Sequence, residues 1–205
     1  MAKPFLLLLF VASGCVAPMK PASPETVSPA PRKYGSLLES YISCTGNGKI
    51  DSRGFFSGEL TFKYMSQHDS SFLQFKDILG RKALLMWFTP HNVFAWNLIE
   101  NKQYDYEQIL EFFPFLYIVE PKDITKFLWG VQPDIAKPVS DDPSRDLMDL
   151  SLQFETGELD QIPFSLISAT FKDLNMNQSI KINIQKRMHH TTAVNLERVW
   201  GLIQS

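Results

Sequence analysis

The side chains that could carry out catalysis are few and poorly placed for it. His189 and His190 are adjacent, but neighbouring residues on a strand point to opposite faces, so a shared metal ion is not expected. Asp141, Asp142 and Asp146 lie in a proline-bearing stretch and are interpreted as solvated charges. No Ser or Cys nucleophile accompanies a recognisable base, and no glycine-rich phosphate loop is present. The sequence therefore predicts a protein that is not an enzyme and needs no metal or other cofactor.

Chemistry of another kind is expected at Cys15. It follows a short cationic start, an apolar run over residues 5–11 and a group of small residues. This layout is typical of a secretory signal, and the run is too short to span a bilayer as a mature helix. The small residues resemble the bacterial lipobox, in which the cysteine thiol receives a diacylglyceryl group, although Ala12 replaces the usual leucine. We expect residues 1–14 to be a signal peptide and Cys15 to be the acylated, palmitate-bearing first residue; an ordinary secretory peptide is the alternative.

Residues 15–33 are predicted to form a tether between the lipid and a folded domain. The stretch carries prolines at 18, 21, 24, 29 and 31 and almost no large apolar residue. It cannot bury enough surface to fold, and its prolines favour an extended spacer. Val16 stands where the enterobacterial sorting rule would place an aspartate to retain a lipoprotein at the inner membrane. The outer membrane is therefore the expected location, with the domain facing the periplasm.

The remaining residues, 34–205, have the length of one domain with a substantial core. The chain has 16 phenylalanines for that core, and its 20 basic residues nearly balance its 22 acidic ones. A nucleic-acid partner, which needs a basic stripe, is not expected. Cys44 is the only cysteine besides Cys15, so no internal disulfide is expected once Cys15 is acylated. Cys44 is predicted to be a buried thiol rather than a reactive one.

Most of this domain is predicted to be strand, because apolar and polar residues alternate along it. The predicted strands cover residues 58–64, 72–76, 83–88, 93–99, 148–154, 164–171 and 180–184. The third and fourth of these flank a proline turn and are apolar on both faces, so they are expected to form a hairpin that is covered on both sides.

Helices are predicted at four places. The first covers residues 36–44 and is expected to end at the glycines that follow. Residues 106–113 have a capping Asp105, residues 121–129 begin with proline and end at Gly130, and residues 192–203 form a helical tail. The predicted fold is mainly β with α: a curved antiparallel sheet of seven or more strands, covered by two or three helices, that forms a half-open barrel around an apolar cavity.

Two stretches resemble the family of outer-membrane lipoprotein receptors called LolB. Residues 73–85, with the sequence Ile-Leu-Gly at 78–80, followed by residues 93–99 and Tyr104, match that family's strand, Leu-Gly loop and two further strands. Residues 106–110 and 127–133 are similar to its helix pair. The likeness covers roughly residues 35–190. The chain departs from the family in a short region between 130 and 164, in Phe113-Pro114-Phe115 between the helices, and in its tail.

The resemblance implies a lipid-anchored receptor that accepts acylated lipoproteins from a soluble LolA-like carrier and inserts them into the outer membrane. Its exposed loop leucine is here Leu79, beside Ile78 and Gly80, and Arg81 and Lys82 would meet lipid phosphates. The plainer interpretation is that Leu79 is a turn residue folded back onto the core. A monomer is expected, which contacts membrane lipid through its N-terminal anchor.

The cavity is expected to be lined by inward positions on the strands and the mid-chain helices. These are Leu60, Phe62, Phe75, Leu85, Trp87, Phe94, Trp96, Ile109, Phe113, Phe127 and Leu150. Each could instead be an ordinary core residue, and the opposite face of the doubly apolar strands is a further alternative. Two other functions share the predicted fold: an accessory lipoprotein that serves as an interaction platform, and a carrier of another amphiphile such as phospholipid or glycolipid.

Overall fold

The computed structural model describes residues 33–54, 57–133 and 150–204. The signal peptide, Cys15, most of the tether, Met148 and the acidic residues of the 141–146 stretch lie outside the described residues. The described strands are β1 (Ser43–Arg53), β2 (Gly58–Gln67), β3 (Ser70–Lys76), β4 (Lys82–Phe88), β5 (Val93–Asn97), β6 (Lys102–Tyr104), β7 (Leu150–Leu159), β8 (Ile162–Asp173) and β9 (Gln178–His190). The α-helices are α1 (Tyr34–Ser40), α2 (Tyr106–Phe112), α3 (Pro121–Trp129) and α4 (Leu196–Gln204), and a 3₁₀ turn (Pro114–Tyr117) joins α2 to α3.

The nine described strands form a single antiparallel sheet that does not close on itself. Their order is β6-β5-β4-β3-β2-β1-β9-β8-β7, so β6 and β7 are the outermost strands. Each neighbouring pair is antiparallel, and β1, next to the central strand β2, pairs with both β2 and β9. The predicted class, a mainly β half-open barrel with helical cover, is confirmed.

The first predicted helix is present but shorter than expected. It ends at Ser40, and Cys44 lies on β1 instead of at the end of a helix. Gly46 and Gly48 lie within that strand, where a Cβ would come 2.6 Å from the Tyr64 ring and 2.5 Å from the Phe62 ring. A Cβ would also lie 2.1 Å from the Lys186 carbonyl oxygen at Gly46 and 2.3 Å from that of Asn183 at Gly48, so the glycines make room both for two aromatic rings of β2 and for the backbone of β9. The prediction that the first helix runs to residue 44 and ends at these glycines was wrong, because the packing that places them in a strand depends on partner strands.

The inner face of the sheet carries the main core, covered by α1, α2, the 3₁₀ turn and α3. Alternate residues of β2, β3 and β4 point into it, among them Phe62, Phe75 and Met86. Helix α3 lies against β2, β3, β4 and β9 and buries Phe127, Leu128 and Trp129. The mid-chain helical segment thus supplies the cover that a sheet with an apolar face needs.

The ends of the mid-chain helices follow the sequence signals. Asp105 caps α2 through a capping box with Gln108, since each side chain accepts from the other residue's backbone N–H. Helix α3 begins with Pro121 and ends at Gly130, which has a positive φ of 88°. Both predicted helices are therefore confirmed, with a C-terminal glycine in the conformation that favours it.

The outer face carries a second, smaller apolar cluster, which α4 covers. Phe72 and Leu85 on the sheet are buried against Leu196 and Trp200 of the helix, and Trp87, Phe94 and Trp96 pack around them. Trp200 lies 5.7 Å from Trp87 between ring centroids. The predicted helical tail is confirmed, and so is the prediction that the β4–β5 hairpin is covered on both sides.

The antiparallel pairing gives the sheet two ends. We call one the rim: it carries the turns 77–81, 98–101 and 174–177. The other is the base, which carries the turns 68–69, 89–92 and 160–161. Helix α1 begins at the base, where the Tyr34 hydroxyl donates to the carbonyl of His68. None of the described helices is both long and apolar enough to cross a membrane.

Candidate functional site

The β3–β4 turn presents two large apolar side chains to solvent. Ile78 is 80% exposed and Leu79 is 71% exposed. Gly80 follows with a φ of +77°, a conformation that L side chains rarely adopt. The interpretation that Leu79 folds back onto the core is therefore excluded in this structure. The five residues predicted as a membrane-insertion loop, Ile78 to Lys82, lie together at the rim.

Asp77 holds this turn in its shape. Its carboxylate accepts hydrogen bonds from the backbone N–H of Leu79 (3.0 Å) and of Arg81 (2.9 Å), and from the Arg81 guanidinium (2.7 Å). Desolvation opposes the charge on Asp77, but these bonds outweigh it and hold the pKa of the carboxyl below its ordinary value. The turn is thus braced from within, and its apolar side chains cannot use the core as an alternative.

Seven of the predicted cavity residues lie on the inner face. Phe62, Phe75, Ile109, Phe113 and Phe127 are buried there, and Leu60 and Leu150 pack at the margin of the same cluster. The rings are close to one another: Phe75 lies 5.7 Å from Phe62 and 6.2 Å from Phe113 between centroids. In this conformation these side chains contact each other, so an acyl chain could reach them only if a covering helix moved.

The other four predicted cavity residues lie on the outer face. Leu85, Trp87, Phe94 and Trp96 belong to the cluster beneath α4. The structure therefore does not bring them together with the inner set. On β4 and β5 the sequence is apolar at consecutive positions, and the inward ones are Leu84, Met86, Phe88, Val93 and Ala95, on the face that the sequence left as the alternative. When both faces of a strand are apolar, the alternation of residues along it does not indicate which face is inward.

A small apolar cleft separates α3 from the far part of the sheet. It is lined by Phe115, Ile124 and Phe127 on the helical side and by Leu152, Phe171, Ile180 and Ile182 on the strands. Its volume is about 20 Å³, space for roughly one water molecule. The cleft marks where the helical cover and strands β7–β9 meet.

Polar side chains from the sheet hold the C-terminal end of α3. Arg187 donates to the carbonyls of Leu128 (2.7 Å) and Phe127 (3.2 Å), and to that of Leu166 on β8 (2.9 Å). The Tyr64 hydroxyl also donates to Leu128, at 3.1 Å. A cation at the C-terminal end of a helix is favoured by the helix dipole. These bonds fasten the helix that covers the inner face.

Cys44 lies beside the same helix end. It is fully buried, as predicted, with its sulfur 3.8 Å from the Leu128 carbonyl and 3.9 Å from the Tyr64 hydroxyl. Burial raises the pKa of the thiol to about 11 and also raises the pKa of Tyr64. Both groups are therefore neutral donors at physiological pH, and Cys44 has a structural place in the core.

The two adjacent histidines have separate partners. His189 contacts the carbonyl of Trp129 through Nε2 at 3.0 Å, whereas His190 contacts the Thr45 hydroxyl at 2.8 Å. Their side chains point to opposite faces of β9, as the strand geometry predicts. Within the described ranges, no cluster of three or more His, Cys, Asp or Glu side chains could hold a metal ion.

No protein-family model and no curated protein matches the chain. Among solved structures, it is similar to a DUF1329 family protein from Desulfovibrio piger at a TM-score of 0.47 and 10% identity, over 78% of this chain and 90% of that one. It is also similar to a domain from Vibrio parahaemolyticus described as outer membrane lipoprotein-sorting, at a TM-score of 0.39 and 6% identity, over 83% of this chain and 97% of that one. Neither likeness assigns a family or a function to this chain.

Proposed function

We propose that the chain is a lipid-anchored receptor of the LolB type, which accepts acylated lipoproteins from a periplasmic carrier and inserts them into the outer membrane. The observation that carries the proposal is the rim turn, in which Ile78 and Leu79 are exposed and Asp77 fixes the backbone. Exposing two adjacent large apolar side chains on a braced turn is costly in water. It is useful where the turn meets an apolar phase.

The inner face is the proposed acceptor for the acyl chains of the cargo. Its aromatic side chains form a continuous apolar layer beneath α2 and α3, and each buried methylene of an acyl chain gains about 0.8 kcal/mol. Admission of the cargo requires α3 to lift from the sheet along the cleft at β7–β9. The acyl chains then pass to the bilayer because it binds them more strongly than the receptor does, so the transfer needs no cofactor or energy source.

The turn at 77–82 is the proposed release element. Transfer of Ile78 and Leu79 from water into the bilayer interface stabilises the contact by about 2 kcal/mol for each side chain. Lys82 is exposed at the end of the turn, where its ammonium group can meet lipid phosphates. The contact would bring the mouth of the inner face to the membrane at the moment of delivery.

Transfer to vesicles tests this proposal. The full-length chain is reconstituted in vesicles and given a triacylated lipoprotein bound to its cognate soluble carrier, and incorporation of the lipoprotein is measured. We expect Leu79→Glu to fold normally and to accept the cargo but to deliver at least ten times more slowly, because a buried carboxylate opposes insertion. Ile162→Glu, at an exposed apolar position of the base, is the matched control and should deliver normally. Full delivery by Leu79→Glu would contradict the proposed role.

The close packing of the inner face also fits the second candidate, an interaction platform whose interior is filled by its own side chains. Photo-crosslinking separates the two. A photoreactive phenylalanine at Phe113 on the inner face should capture acyl chains of the cargo, whereas one at Phe94 beneath α4 should not. Absence of capture at both positions from a folded receptor, with a competent carrier, would favour the platform. Capture of phospholipid but not of lipoprotein would instead indicate a carrier of another amphiphile.

A further inference from the structure

The exposed apolar side chains of the rim are not confined to the turn at 77–82. Leu174 is 71% exposed and Met176 is 48% exposed in the β8–β9 turn, and Ile99 is 59% exposed in the turn between β5 and β6. The antiparallel pairing places these turns at the same end of the sheet as Leu79. Three separate turns therefore present apolar side chains along one edge of the molecule.

The three turns share one bracing device. Asn97 accepts from the backbone N–H groups of Ile99 (2.9 Å) and Glu100 (3.1 Å). Asp173 accepts from that of Met176 at 3.0 Å, as Asp77 does in the first turn. Each of these side chains replaces a backbone acceptor and fixes a tight turn. The apolar residues are thus held outward by the backbone, which distinguishes them from side chains that are exposed on a mobile segment.

Exposed basic side chains outnumber exposed acidic ones beside the three turns. Lys82, Lys102 and Lys172, one next to each turn, are exposed, and Arg81 adds a cation that is paired with Asp77 at 2.7 Å. Glu100 is an exposed acid in the middle turn. At the base, the apolar hairpin around Ile162 is flanked instead by exposed Glu158 and Asp160. Apolar side chains within a basic border are complementary to an anionic lipid surface.

We infer that the whole rim is a membrane-docking surface, in which the turns at 98–101 and 174–177 enter the interface of an anionic phospholipid bilayer together with Ile78 and Leu79. The 77–81 and 98–101 turns are two strand spacings apart, which is about 10 Å, and the 77–81 and 174–177 turns are four strand spacings apart. Contacts spread along such an arc fix the tilt of the domain, which one turn alone cannot do. The inference rests on the proposed membrane role of the 77–82 turn and extends it.

The depth of single labelled positions tests the inference. The full-length lipidated chain, carrying Leu79→Cys, Ile99→Cys, Leu174→Cys or Phe164→Cys with a fluorophore, is reconstituted in vesicles of equal parts phosphatidylethanolamine and phosphatidylglycerol. Buried Cys44 should not take the label. Acyl chains brominated near the headgroup quench a fluorophore that enters the interface. We expect loss of fluorescence at the three rim positions and none at Phe164, which lies at the base.

The outcomes separate this inference from the proposed function. Quenching at Leu79 alone would overturn the docking rim and leave the single-turn mechanism standing. Quenching at no rim position, in a chain that still delivers lipoprotein, would overturn both the docking rim and the release role of the 77–82 turn, but not the acceptance and delivery of lipoprotein. Equal quenching at Phe164 would mean that the domain has no fixed orientation and would also overturn it.

A charge variant provides the second measurement. Lys82→Gln, Lys102→Gln and Lys172→Gln combined should reduce quenching at Leu174 in the anionic vesicles. The three cations that would bind the lipid phosphates are then removed. Lys33→Gln, Lys63→Gln and Lys186→Gln combined remove the same number of charges at exposed positions away from the rim turns and should leave the quenching unchanged. Equal quenching with both triple variants would contradict the electrostatic part of the inference.

Discussion

Asp77 shows how a single carboxylate converts an exposed leucine into a positioned one. In the folded chain it binds two backbone N–H groups and a guanidinium, so the turn has one conformation. Without that acceptor, Ile78 and Leu79 could turn inward, since burial of each is favoured by about 2 kcal/mol. The hydrogen bonds of Asp77 thus offset the free-energy cost of exposing Ile78 and Leu79 within the turn itself. The packing of the core beneath does not have to change.

Arg187 stabilises a buried contact, because it holds helix α3 over the inner face of the sheet. Its guanidinium donates hydrogen bonds to the carbonyls of Phe127, Leu128 and Leu166. We expect Arg187→Met to lower the free energy of unfolding by about 3 kcal/mol, since buried carbonyls lose a charged donor. Urea denaturation followed by circular dichroism measures it, and hydrogen exchange should show α3 opening first.

Lys186→Met is the control for that change. Lys186 is the preceding residue on β9 and its side chain is exposed, so the same loss of charge should shift the urea midpoint little. A midpoint for Arg187→Met equal to that of the control would mean that the bonds to α3 contribute nothing net. Helix α3 would then be held by its apolar face alone.

At the scale of elements, helix α4 covers the apolar cluster on the outer face of the sheet. Nine residues are too few for a stable helix in isolation, so α4 depends on Trp200 and Leu196 packing on the outer face. We expect Trp200→Ala to release the helix, because truncation of a buried tryptophan costs about 4 kcal/mol. The sheet and its inner core should remain folded.

Tryptic cleavage after Arg198 reads out this release, because that bond lies within α4. Cleavage at this site, followed by mass spectrometry, should accelerate strongly in Trp200→Ala. Glu197→Ala, which changes an exposed residue of the same helix, should be cleaved at the wild-type rate. An unchanged rate in Trp200→Ala would show that α4 does not depend on its aromatic contact.

The same elements show what the sequence could and could not predict. Asp105, Pro121 and Gly130 gave the helix ends correctly, because caps are local chemistry. The faces of β4 and β5 were not predictable, because both faces are apolar and the choice depends on α4, more than 90 residues further along the chain. Gly46 and Gly48 were misinterpreted for a related reason: their role is set by rings on β2 and by the backbone of β9. The Leu79 turn was predicted from its motif, whereas the three-turn rim needed the strand pairing.

At the scale of the whole molecule, the rim and the start of the domain lie at opposite ends. Helix α1 begins at the base, next to His68, and β1, with its 11 residues, runs from there to the rim over about 36 Å at 3.3 Å per residue. If Cys15 is lipidated in the bilayer that the rim touches, residues 16–33 must cover at least that distance. Proline-rich chain extends by about 3.1 Å per residue, so about 12 residues are the minimum.

The length of the tether should therefore have a threshold. Deletion of four residues from the 16–33 segment should leave delivery of lipoprotein to vesicles almost unchanged, because about 14 residues still reach the membrane at 3.1 Å each. Deletion of ten residues leaves about 8, which cannot reach, and we expect delivery to fall at least tenfold while the cargo is still accepted from the carrier. Reinsertion of ten alternating proline and alanine residues should restore delivery, since length and not sequence is required. Undiminished delivery by the ten-residue deletion would mean that the anchor and the rim do not share one bilayer, and the orientation inferred for the domain would have to be reversed.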